Sequence, residues 1–219
     1  LEAIERYITS NDLLTIIILL VLLILSLAKT LFQNRFEDFI SLAASSKFLV
    51  IKSKEHKLLF GFNVLMLIVH ILSVSLFVFL TYRLLTSETL VDSGNLLLRI
   101  ITAYGFIVLL KITVEKIIAN VFDIDEIMDA YIFQKQTYLN FISLIIFGLS
   151  LFLVYSDIPS LPLFYMIIAV IIIALSYTLY AIVKKNLRLI SRFWFYFILY
   201  LCALEIAPYV VLYKLITKY

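Results

Sequence analysis

The sequence predicts an all-α membrane protein: a polytopic bundle of six transmembrane helices, with an amphipathic interfacial helix after the first. Three observations predict it. Of 219 residues, 64% are hydrophobic and only 15% charged, at a mean hydropathy of +1.10, whereas a soluble domain carries about 45–50% apolar and about 25% charged residues. The apolar runs are unbroken, as in IIILLVLLIL (16–25) and MIIAVIIIAL (166–175), unlike the alternating segments of ~10 residues in a membrane barrel. The runs also approach the ~20 residues a helix needs to cross hydrocarbon while satisfying its own backbone.

Composition excludes several other classes. Three Pro and four Gly are too few for a collagen-like or linker-like chain, and one Cys rules out an intramolecular disulfide framework. A net charge of +3, with no basic stripe, argues against a nucleic-acid partner.

The spans follow in order, within a single integral membrane domain over 1–219. The first covers 11–32, centred on Leu13–Ala28. It lacks a basic n-region, since Glu2 and Glu5 offset Arg6, and no small-x-small site follows it, so it reads as a retained span. The second, 58–82, has no formally charged residue. The third, 96–114, carries Arg99 and Lys111 with 11 uncharged residues between them; long basic side chains of this kind snorkel to opposite interfaces. The fourth and fifth, 138–155 and 161–183, are joined by a tight turn containing Pro159. The sixth, 193–213, encloses Glu205.

Between the first two spans, Phe36, Phe39, Ile40 and Ala43 fall at helical spacing, with Arg35, Glu37 and Asp38 on the opposite side. Lys47, Lys52, Lys54 and Lys57 follow. The segment 33–57 therefore reads as an amphipathic helix on an anionic leaflet, with Phe36, Phe39 and Ile40 buried; a docking surface for another protein is the alternative. After the third span, Ile117, Ile118, Val121 and Phe122 continue a helical stripe. The acids at 123, 125, 126 and 129 read as a helix start favoured by the helix dipole rather than a calcium loop, and Tyr131, Phe133 and Tyr138 read as an aromatic interface belt.

Lys and Arg set the orientation. Thirteen fall in segments 29–57, 111–137 and 184–192, against five at Arg6, Arg83, Arg99, Lys214 and Lys218. Positive-inside bias then places both termini outside the cytoplasm, periplasmic in a Gram-negative cell.

Chemistry is sparse. There is no metalloprotease, P-loop, nucleophile-elbow or paired-Asp signature. His56 and His70 lie ~21 Å apart on one helix, which argues against haem. No cofactor, metal site or catalytic residue is expected. The intramembrane polar residues are Asn63, His70 and Ser73 on one stripe, Asn140, Ser143 and Ser150 on another, and Glu205 and Arg99. Such stripes turn inward as bundle glue, or mark a proton or substrate path. Glu205 and His70, each about 18 Å above the cytoplasmic boundary, form a candidate pair, with Arg99 the runner-up partner. Pro208 bends the last helix beside Glu205, and Ala203 and Ala207 form a close-contact face opposite it.

That last helix, FWFYFILYLCALEIAP (193–208) closing on Tyr213-Lys214, resembles the C-terminal signature of a domain-of-unknown-function family of Bacteroidota inner-membrane proteins. The Tyr-Leu-Cys-x-Leu-Glu-x-x-Pro part is the specific one, and Arg35-Phe36 and Tyr131-x-Phe133 extend the resemblance more loosely. It implies a multi-spanning inner-membrane protein and supplies no catalytic residue. The leading functional expectation is a non-enzymatic subunit, a scaffold or accessory component of a larger envelope assembly for secretion or insertion, working with other inner-membrane proteins in the bilayer. A small proton-coupled transporter using Glu205 and His70 is the alternative. An enzyme acting on lipid lacks a convergent polar set.

Overall fold

The structure is a computed structural model that describes residues 12–41, 61–86, 93–121, 125–155, 164–178 and 180. Six helices are described: α1 (Asp12–Leu31), α2 (Gln33–Ile40), α3 (Gly61–Thr86), α4 (Ser93–Val121), α5 (Asp125–Tyr155) and α6 (Phe164–Thr178). No strand occurs among the described residues. Four helices, α1, α3, α4 and α5, are long and apolar enough to cross a membrane. The described part of the fifth expected span, α6, is shorter, and the sixth, 193–213, lies outside the described residues.

α1 buries Leu14, Ile18, Val21 and Ala28, the alternating three- and four-residue spacing of a packing seam. The remainder of α1 is apolar but exposed, as Leu19 and Leu23 illustrate; in hydrocarbon such faces need no protein cover. At its end the Thr30 hydroxyl donates to the Ser26 and Leu27 carbonyls. Phe32 (φ −134°, ψ 47°) then breaks the helix and redirects the chain into α2.

α2 turns its aromatic side into the bundle. Phe39 is 1% exposed and meets the Phe62 and Phe141 rings edge-on, each at 5.9 Å between centroids. Phe36 is partly buried against the same cluster. Ile40, expected to be buried, is 49% exposed: it follows Phe39 by ~100° around the helix, and only Phe39 faces the cleft between α3 and α5. Lys52 and Lys54 lie outside the described residues. At the start of α3, a Cβ on Gly61 would stand 3.0 Å from the Phe32 Cζ, so a hydrogen there lets the ring close against the helix.

α3 is the hub, packed against α1, α4 and α5. Phe62, Met66, Val69, Ser73, Leu76 and Leu80 are all buried along one seam. The ends fix an up–down arrangement. Gly94 lies against Leu13, and the Thr15 hydroxyl is 3.4 Å from the Tyr155 hydroxyl, so α1 and α4 begin where α5 finishes. α6 starts with Phe164 stacked on Phe77 of α3, centroids 6.4 Å apart.

Two helices are longer than the sequence suggests. At 29 and 31 residues, α4 and α5 run about 43 and 46 Å, against a hydrocarbon core of about 30 Å. Their flush ends match the start of α1, so the excess forms an antiparallel extension at the far end. The apolar stripe beyond residue 114 is thus a continuation of α4, and the acids at 125 and 129 belong to the first turns of α5. Tyr131 and Phe133 are not an interface belt: both are buried, because Tyr131, Ile132, Phe133 and Gln134 are enclosed around the whole circumference of α5.

Candidate functional site

The polar residues of the bundle gather at two levels. The first is mid-membrane. His70 stands nine positions after Gly61, about 14 Å along α3, and Tyr104 ten positions after Gly94, about 15 Å along α4. These opposite-running helices bring them level, and His70 Nε2 lies 3.0 Å from the Tyr104 hydroxyl. His70 is 5% exposed. The Leu139 backbone carbonyl of α5 faces its ring, yet Nδ1 makes no hydrogen bond of good geometry among the described residues.

Beside this pair runs a polar seam of α5 that includes Thr137, Asn140, Ser143 and Ser150, all buried. Thr137, Ser143 and Ser150 donate to carbonyls of their own helix, of Phe133, Asn140 and Ile146. Gln136 Nε2 donates to Asn140 Oδ1 at 2.9 Å. Both stripes read from the sequence therefore turn inward, and α3 and α5 carry them into the same interface. Asn63 is half-buried near the start of α3, and Arg99 lies on the exposed side of α4, away from His70. Glu205, Pro208, Ala203 and Ala207 lie outside the described residues, so the proposed Glu205–His70 pair is not described; the partner described for His70 is Tyr104.

The second level was missed in the sequence. Glu115 of α4 is 2% exposed, and its Oε1 accepts a hydrogen bond of 2.8 Å from Lys135 Nζ of α5. Lys135 also stands over the Tyr131 ring, 5.8 Å from its centroid. A weaker pair, Lys116 to Asp129 at 3.9 Å, lies further along the extension. Counted from the flush ends, Glu115 is about 32 Å from Gly94 and Lys135 about 30 Å from Tyr155. The ion pair thus lies one core thickness of ~30 Å from the flush ends, in the extension of the two helices. One signal was available: Glu115 and Ala119 share a helix face four residues apart, opposite the apolar stripe of Ile117 and Val121.

Among the described residues, no group of three His, Cys, Asp or Glu side chains is placed to hold a metal ion. What the site offers is hydrogen bonding and ion pairing between helices, with one imidazole at mid-depth. No curated protein and no solved structure matches the chain. A family match runs over residues 14–216, from the first turn of α1 to well past α6, and this multi-pass membrane protein belongs to the family described as Domain of unknown function (DUF4271).

Proposed function

We propose that the protein is a non-enzymatic subunit of a bacterial inner membrane, a scaffold or accessory component of a larger envelope assembly for secretion or insertion. The observation that carries this reading is the open side of α4. Leu98, Phe106, Leu109, Leu110, Ile117 and Val121 are exposed along its length, while few of its side chains, Leu97, Glu115 and Ala119 among them, are fully buried. A helix attached by one narrow edge leaves the rest to lipid, as on α1, or to protein; on this reading the long open side of α4 is covered by protein neighbours. The extension of α4 and α5 would then stand on the cytoplasmic side, in agreement with the thirteen-to-five Lys and Arg bias, with both termini periplasmic.

The test is a photo-cross-linking amino acid at Phe106 compared with one at the buried Leu76, both in the native membrane. A protein adduct of defined mass at Phe106 and none at Leu76 supports the reading; lipid adducts alone at Phe106 count against it.

The alternative, a small proton-coupled transporter, rests on His70: a titratable ring buried at mid-depth beside Tyr104. Proteoliposomes would decide it. Proton flux abolished in both His70→Gln and Glu205→Gln favours a carrier, and absence of flux in the wild type removes it.

A further inference from the structure

Hydroxyl side chains in this bundle follow a common pattern. Thr81, Thr102, Thr113, Thr137, Ser143 and Ser150 each donate to a carbonyl three or four residues earlier on their own helix. That local bond is the cheapest way to satisfy a hydroxyl in hydrocarbon. Ser73 and Ser75 of α3 depart from it: both are fully buried, and neither Oγ has a hydrogen-bond partner among the described residues. Ser73 is the one in the middle of the α3 seam and on the same face as His70; Ser75, two positions on, points to another side of the helix.

The neighbouring orphan is the other half of the observation. His70 is three positions earlier on α3, and its Nδ1 is likewise buried, facing the Leu139 carbonyl without a hydrogen bond of good geometry among the described residues. Side chains at this spacing share a helix face with their Cβ atoms about 5–6 Å apart. The Leu139 carbonyl of α5 faces the His70 ring, and Val69 and Leu76, which flank Ser73, share a core cluster with Phe147 of α5 and with Leu14, Ile18 and Val21 of α1. Helical spacing thus puts a ring nitrogen and a hydroxyl on one face of α3, with a carbonyl oxygen of α5 beside the ring. A buried water takes two to four polar partners. Two ordinary hydrogen bonds of about 2.8 Å span the gap between groups one turn apart.

We propose that the α3–α5 interface binds a water molecule between His70 Nδ1 and Ser73 Oγ, within reach of the Leu139 carbonyl. With the Tyr104 hydroxyl on Nε2, His70 then lies in a continuous hydrogen-bonded chain of Tyr104, imidazole, water and Ser73 at the centre of the membrane domain. The ring is proton-exchanging although no described surface reaches it. This stands apart from the scaffold reading, because a subunit and a carrier alike can hold such a water.

The chain has two histidines, so His56→Gln leaves His70 as the single imidazole in an otherwise full-length protein in lipid nanodiscs. With histidine labelled by 13C and 15N, magic-angle-spinning NMR reads magnetisation transfer from water to the ring nitrogens. The expected result is transfer at Nδ1 that is lost in D2O and falls several-fold in Ser73→Ala. Thermal unfolding gives a second reading with opposite signs. Ser73→Ala lowers the midpoint if it removes a water ligand, and leaves it unchanged or raises it if it removes a dry, unpaired hydroxyl. Absence of water transfer to His70 in the parent, transfer unaffected by Ser73→Ala, or an unchanged or raised midpoint would each overturn the proposal.

Discussion

Lys135 Nζ lies 2.8 Å from Glu115 Oε1, joining α4 and α5 about 30 Å from their flush ends. The carboxylate side chain is 2% exposed and the ammonium-bearing one 12%, so neither charge has free access to water. Removing one partner strands the other. Glu115→Gln and Lys135→Met are each expected to lower stability by about 3–5 kcal/mol, whereas Glu115→Leu combined with Lys135→Met recovers most of the loss. Unfolding of the three variants in one detergent checks this; a loss in the double equal to the sum of the two single losses would show that the pair is not coupled.

The aromatic clamp of α2 separates adjacent residues. Phe39→Ala removes a ring held between Phe62 and Phe141 and is expected to cost about 3–5 kcal/mol. Ile40→Ala, at an exposed position, is expected to change stability by about 0.5 kcal/mol or less. Maleimide labelling of single cysteines gives the same contrast without unfolding, with Ile40→Cys modified rapidly and Phe39→Cys protected.

Tyr104→Phe deletes the hydroxyl 3.0 Å from His70 Nε2. Interhelical hydrogen bonds in membrane bundles contribute about 0.6–2 kcal/mol, and a loss in that range is expected. A cycle with His70→Phe should be non-additive, because the two deletions remove one bond. Additive losses would mean that the pair is an accident of proximity.

The up–down arrangement makes a geometric prediction. Leu13 and Gly94 touch, so Leu13→Cys with Gly94→Cys should join under a short bifunctional thiol-reactive cross-linker once Cys202 is replaced by Ser. A reporter fused after Asn95 should then read as periplasmic and one after Lys185 as cytoplasmic. Cross-linking with the opposite reporter pattern would keep the fold and invert the orientation.

Element identity was legible because hydrocarbon leaves a helix as the answer for an unbroken apolar run. The starts and ends of α1 and α3 follow the loss of apolar residues within a few positions. The extension of α4 and α5 was harder to read. Residues 111–137 carry enough charge to resemble a connection, whereas in the fold Ala119, Met128 and Ile132 are buried and the Glu115–Lys135 and Lys116–Asp129 pairs tie the two helices together. The Phe39 position was readable from periodicity, but the exposure of Ile40 was not. A stripe of three apolar residues fits a flat membrane surface, while a cleft between two helices admits one ring.

By itself, the sequence determined that this is a helical multi-pass membrane protein, which polar residues lie on shared faces, and four of the segments that are long and apolar enough to cross. The tertiary structure decided the partnerships: His70 with Tyr104, Glu115 with Lys135, Phe39 with Phe62 and Phe141. The reason lies in the solvent. In water, a helix shows its inner face by being apolar on that side alone, so rotation and partner can be read from the pattern. In a bilayer both sides are apolar, as on α3, and the rotation of each helix is set by close packing and by a few polar atoms seeking one another across helices. Those choices depend on register and crossing between elements far apart in the chain, which no local pattern encodes.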